Sequence, residues 1–149
     1  MQFQLPKSVL TSILLISSLP ILTVATGRAA VRNYCKYNVY LASVPSSTPR
    51  EYNIASGGQW SEEFRNGPNG VGIALKVYKV QGGLQIGQVP AQNFGYTLDG
   101  GRVWYDLSSV WGEPFAGETV TIESSEASCP SVSWDNGVGP GKPDVKVCK

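Results

Sequence analysis

Residues 96 to 107 read Tyr-Thr-Leu-Asp-Gly-Gly-Arg-Val-Trp-Tyr-Asp-Leu, YTLDGGRVWYDL. Two runs rich in aromatic and β-branched residues flank Asp99-Gly100-Gly101. Gly supplies the positive φ that a tight two-residue hairpin turn demands, so this stretch predicts two antiparallel strands joined by a hairpin. The second strand runs into Ser108-Ser109-Val110-Trp111-Gly112-Glu113-Pro114-Phe115. Gly and Pro there end the strand and turn the chain.

The same punctuation recurs on both sides. Gly57-Gly58, Asn66-Gly67-Pro68-Asn69-Gly70 and Gly82-Gly83 separate short β-rich runs. Those runs are Val31–Tyr34, Tyr37–Ala42, Gln59–Arg65, Val71–Val80, Leu84–Gln88, Asn93–Leu98, Arg102–Leu107, Glu118–Ile122 and Val145–Cys148. Within Val71–Val80, apolar Val71, Ile73, Leu75 and Val77 alternate with Gly72, Ala74 and Lys76. Trp60 and Phe64 fall on one face of their run, with Glu62 interrupting the alternation. No later window carries an apolar stripe at helical spacing. Short strands separated by turn signals predict an all-β antiparallel sandwich, one domain over residues 28–149.

The N-terminus reads differently. Lys7 precedes an uncharged, apolar Ser8–Ala25, and small residues follow at Ala25, Gly27, Ala29 and Ala30. One positive charge, an apolar core and a small-residue site are the layout of a secretory signal peptide. Residues 1–27 are expected to be removed, with cleavage between 27 and 30. Ser17, Ser18 and Pro20 interrupt the core, which is short against the roughly 20 residues of a membrane span. No membrane association is expected after cleavage, and the protein is expected to be secreted, extracellular or wall-associated.

Removing Lys7 from the 12 basic residues leaves 11 against 11 acidic, a neutral mature chain. Without a basic cluster there is no electrostatic footprint for nucleic acid. The sequence contains no His, which excludes Ser-His-Asp and Cys-His catalysis. Three Cys and no His are also short of a closed zinc site, so no metal and no cofactor are expected. The Gly pairs lie between strands and form no phosphate loop. In an oxidising compartment three cysteines imply one disulfide and one thiol. Cys129–Cys148 would close a short local loop; Cys35–Cys148 would tie the ends of the domain together.

Carboxylate chemistry is what remains for an enzyme. A glycosidase needs two acids facing one cleft. Asp106 and Glu113 are the pair available near the hairpin, with Glu118 and Asp99 outside it. An Asp before Leu-Ser more commonly bonds nearby backbone amides, and Asp106 is expected to anchor a corner in that way. The aromatics carry the other possibility. Adjacent Trp104 and Tyr105 point to opposite faces of a regular strand, so one is core and the other is exposed. Exposed rings stack on sugars or anchor protein contacts. Trp104, Tyr105, Asp106 and Trp111 are therefore the candidate binding residues. Trp111 and Phe115 are expected to cover one end of the sandwich.

The segments VRNYCKYNVYLASV (Val31–Val44), GGQWS (Gly57–Ser61), WYDLSSVWGEPFAG (Trp104–Gly117), SCPSVSW (Ser128–Trp134) and GPGKPDVKVC (Gly139–Cys148) resemble the thaumatin-like group. More narrowly they are similar to small secreted fungal proteins of the Blastomyces yeast-phase-specific type, the antigenic thaumatin-like proteins. The resemblance covers the mature chain. It implies a thaumatin-like β-sandwich, a fungal source and secretion. Larger thaumatin-like proteins carry an acidic cleft of one Arg, one Glu and several Asp. Carried over by motif, Asp106 keeps one acid. Gly95 stands where the Glu is expected, Trp111 where an Asp is expected, and the Arg falls near Lys76. The cleft is thus largely dismantled. The expectation is a non-enzymatic surface or antigen protein, a candidate virulence effector that binds a cell-wall glycan or a host protein. The alternative is a β-glucan hydrolase using Asp106 and Glu113.

Overall fold

The computed structural model describes residues 27–46 and 49–149; the expected signal segment lies outside them apart from Gly27. Ten strands make up nearly all the regular structure: β1 (Arg28–Arg32), β2 (Val39–Val44), β3 (Glu51–Ile54), β4 (Gln59–Glu63), β5 (Ile73–Tyr78), β6 (Ala91–Asp99), β7 (Arg102–Val110), β8 (Val120–Ile122), β9 (Val132–Trp134) and β10 (Lys146–Cys148). One six-stranded sheet has the order β10-β7-β6-β5-β2-β3, and β1-β4 and β8-β9 form two ribbons. Every pairing is antiparallel. This is the all-β antiparallel sandwich read from the sequence.

The hairpin at the centre is the one expected. Asp99 pairs with Arg102, and Gly100 (φ 55°) and Gly101 (φ 78°) make the turn. Positive φ at both central residues matches the right-handed twist of the flanking strands.

Alternation along β5, β6 and β7 divides the sheet into two faces. The inner face carries Ile73, Leu75, Val77, Tyr96, Tyr105 and Leu107, all buried. The two ribbons pack onto it. From the β1-β4 side come Ala29, Trp60 and Phe64; from the β8-β9 side come Phe115, Val132 and Trp134. Phe64 meets Tyr96 edge-on at 4.9 Å between ring centres. The Tyr105 hydroxyl donates to the Pro130 carbonyl, tying β7 to the chain leading into β9. Leu41 and Leu75 are fully enclosed.

Glu62, which interrupted the alternation in β4, points inward with Trp60 and has partners waiting. Its carboxylate accepts from Ser43 Oγ at 2.7 Å, Tyr96 Oη at 3.1 Å and Arg65 Nε at 3.2 Å. A half-buried charge is tolerated when it is paired and hydrogen-bonded in this way.

Three elements differ from expectation. Leu84–Gln88 is not a strand: Gly83–Ile86 forms one helical turn, α1, in which the Gln85 and Ile86 amides both donate to Gly82 O at 2.9 Å. Gly82 (φ 78°) and Gly87 (φ 71°) bracket that turn and break any extended run. Strands β3 and β9 were not anticipated. Strand β3, Glu-Tyr-Asn-Ile, is a charged edge strand, a composition that protects an open edge but hides its strand signal. Strand β9 has only three residues between turns.

Candidate functional site

The outer face of the six-stranded sheet is covered by neither ribbon. Its residues follow from register. Asp106 lies opposite Gly95, which lies opposite Ala74, which lies opposite Val44. One step along the strands, Ser108, Asn93, Lys76, Ala42 and Glu51 form a second row. On the other side, Trp104 faces Thr97.

The row through Asp106 is a trench. Gly72, Ala74 and Gly95 make a low floor; Trp104, Asp106 and Val145 stand on one side and Pro45 on the other, enclosing about 470 Å³. Gly95 is what leaves Asp106 its space. A Cβ at that position would sit 2.7 Å from Asp106 Oδ1. Any side chain at position 95 would therefore touch Asp106 directly, and Lys76 lies on the same face.

Asp106 itself departs from the sequence reading. It is not a corner anchor. It sits mid-strand in β7 and accepts no hydrogen bond from any described residue. Burial against the sheet, with no opposing charge in contact, pushes its carboxyl above the ordinary carboxylate range. Lys76 likewise forms no ion pair or hydrogen bond among the described residues. An acid and a base thus stand on one face, neither with a partner among the described residues.

The expected aromatics separate. Trp104 is on the outer face and 38% exposed, while Tyr105 is on the inner face and 6% exposed. Tyr105 is a core residue that also adjoins the trench. Trp111 is 61% exposed, held with φ 61° where β7 ends. It does not cover the end of the core; Phe115 is buried there with Val132 and Trp134. Trp111 instead borders a smaller hollow of about 120 Å³ with Lys76, Tyr78, Val89, Ala91 and Val110.

Asp106 and Glu113 are not brought together. Glu113 Oε2 accepts from Ser109 Oγ at 2.5 Å. Ser109 is an odd number of residues from Asp106 and projects to the opposite face. Among the described residues, the trench lined by Asp106 has no second carboxylate. Asp99 is at the tip of the hairpin.

Glu118, outside the expected pair, is the best-partnered acid. Its carboxylate accepts from Tyr37 Oη, from Cys35 Sγ at 3.0 Å and from Lys79 Nζ at 3.0 Å. The Lys79 ammonium also lies 4.9 Å from the Tyr37 ring centre and 5.4 Å from that of Phe115. The Tyr37 hydrogen bond, with that from Cys35, lowers the Glu118 carboxyl to about 2. Burial, then the bond to Glu118, raises the Cys35 thiol, so it stays protonated and a poor nucleophile. No local signal marks this cluster, because its members lie up to 83 residues apart.

Cys129 and Cys148 form the disulfide, with Cα atoms 5.0 Å apart, and Cys35 is free. This selects the local loop closure over the Cys35–Cys148 alternative. The disulfide holds the chain leading into β9 to β10, which pairs with β7 beside the trench.

With this geometry in place, comparison with known proteins is specific. The model of the family described as Blastomyces yeast-phase-specific protein matches residues 16–149. The chain belongs to that family. A curated relative from Arthroderma benhamiae, named antigenic thaumatin-like protein, is 36% identical over 124 residues, 83% of this chain. The chain spans 57% of that relative's length. No solved structure matches it. Among the described residues no helix is long and apolar enough to cross a membrane.

Proposed function

We propose that this family member is a secreted, non-enzymatic surface protein that binds a cell-wall glycan through the outer face of its six-stranded sheet. One observation carries the reading: Trp104 and an unpartnered Asp106 line the same open trench. An exposed indole offers a flat apolar surface for the face of a sugar ring. A carboxylate without internal partners accepts hydrogen bonds from sugar hydroxyls, and charge-assisted bonds of this kind are the stronger ones. The trench volume falls in the range of small-ligand sites. The name of the Arthroderma relative, antigenic, supports a role at a host interface, where the protein would act as an antigen or effector in virulence. The apolar N-terminal segment read as an export signal supports secretion.

Hydrolysis of β-glucan finds less support. Cleavage requires a second carboxyl group across the groove, and the trench offers only Asp106 among the described residues. Co-sedimentation of the mature protein with insoluble β-glucan, chitin and cellulose, reading bound protein and released sugar, tests both. Retention without release is expected. Release would overturn the non-enzymatic reading. Neither retention nor release would replace the glycan with a host protein as the partner.

A further inference from the structure

We infer that the trench and the hollow beside Trp111 are two subsites of one extended site that takes a neutral, hydroxyl-rich chain along β7. This rests on the glycan reading above and specifies the length and path of its ligand.

The two concavities open on the same sheet face. Strand β7 gives Trp104 and Asp106 to the trench and Val110 to the hollow; β6 gives Gly95 and Thr97 to the first and Ala91 to the second; β5 gives Ala74 and Lys76 respectively. At about 3.4 Å per residue, the path from Trp104 to Val110 is about 20 Å. An exposed tryptophan stands at each end of it. That length suits an oligomer rather than a single ring.

Between the concavities lies the row of Ser108, Asn93 and Lys76. Asn93 is only 8% exposed, and its Oδ1 is buried with no hydrogen-bond partner. A buried acceptor left open costs stability. Asp106 is the acceptor that the trench itself offers, so the occupant must bring donors, as a chain of hydroxyls does. The charged residues on this face, Asp106, Glu51 and Lys76, are of mixed sign, which matches a neutral chain better than a strongly anionic or cationic one. Trp111 supports the assignment through its backbone. A bulky residue at φ 61° is an uncommon and strained placement, and here it sets an indole out at the edge of the hollow.

Isothermal titration with the disaccharide and the hexasaccharide of β-1,3-glucose, β-1,4-glucose and β-1,4-N-acetylglucosamine tests the extended site. One series is expected to bind, with the hexasaccharide at least tenfold tighter than the disaccharide. Trp111→Ala is expected to erase about that tenfold gain while leaving disaccharide affinity unchanged, whereas Trp104→Ala weakens both. Trp111→Asn, which suits a positive φ, keeps the test valid if the Ala variant folds poorly. Equal affinity for the two lengths, or equal loss of both in the Trp111 variants, would overturn the extended site and leave the single-trench reading standing. Absence of binding in all three series would overturn both.

Discussion

Asp106→Asn separates the two roles an acid in β7 can play. The substitution keeps size and shape and removes the charge. In the wild type the carboxylate is pressed against the sheet, receives no hydrogen bond from the described residues, and is raised above its ordinary value by burial. A raised carboxylate pKa means that ionisation is harder in the folded state than in the unfolded chain. Above the folded pKa the ionised group therefore costs stability. As pH falls the cost shrinks, and below the unfolded value of 3.8 it is gone. Leaving a buried polar group unpaired costs about 1–3 kcal/mol, and the open trench keeps Asp106 at or below the low end. Asn in its place should stabilise the fold by about 0.5–1 kcal/mol, a rise in Tm of about 2–5 °C for a chain of this size.

Binding should move the other way. Hydrogen bonds to a charged acceptor contribute about 1.5–3 kcal/mol each, so losing the charge should weaken glycan binding about tenfold or more. The assay is paired thermal melts from pH 3.5 to pH 7 with titration of the bound glycan at pH 7. The variant's advantage in Tm should be greatest at pH 7 and absent at pH 3.5. A variant that melts lower than the wild type at pH 7 would refute the reasoning, because it would show that Asp106 holds the fold through partners it accepts. Unchanged glycan affinity would remove Asp106 from the site.

Glu118 should show the reverse pH signature. Its folded pKa is depressed to about 2, so its contribution is present above the unfolded value of 4.5 and lost as pH falls through the folded one. With side chains 33% and 36% exposed, the Glu118–Lys79 pair is screened by water, and the cluster contributes on the order of 1 kcal/mol. Glu118→Gln should lower Tm by a few degrees at pH 7 and by nothing near pH 2. Leu75→Ala, at a fully enclosed inner-face position, should destabilise by about 3 kcal/mol in chemical denaturation with an unchanged denaturant slope. Intact mass after alkylation in denaturant should show one adduct without reduction, at Cys35, and three after reduction.

The fold was legible where local chemistry decides it. Asp99-Gly100-Gly101 announced its hairpin because only glycine takes those backbone angles without cost. The alternation of Ile73, Leu75 and Val77 announced a one-sided strand. Strand β3 was hidden because an edge strand carries charge on purpose, and Leu84–Gln88 misled because two glycines outweighed its apolar composition. The opposite facing of Trp104 and Tyr105 followed from strand geometry alone, but which of them is core depended on where β8-β9 and its leading loop pack.

Asp106 and Glu118 show where sequence reading ends. Each is an acid beside a β-rich run, and nothing local tells them apart. Glu118 gathers donors from Cys35, Tyr37 and Lys79, residues distant in sequence, and becomes part of the scaffold. Asp106 faces Gly95, whose missing side chain leaves it room, and it has no partner among the described residues. The same register places Asn93 Oδ1, also unpartnered, one row away on the same face. A chain that pairs Glu62 and Glu118 so fully, yet leaves Asp106, Asn93 Oδ1 and Glu51 Oε2 without hydrogen-bond partners among the described residues on one outer face, has spent stability there. Sites that conflict with folding in this way are where binding is expected.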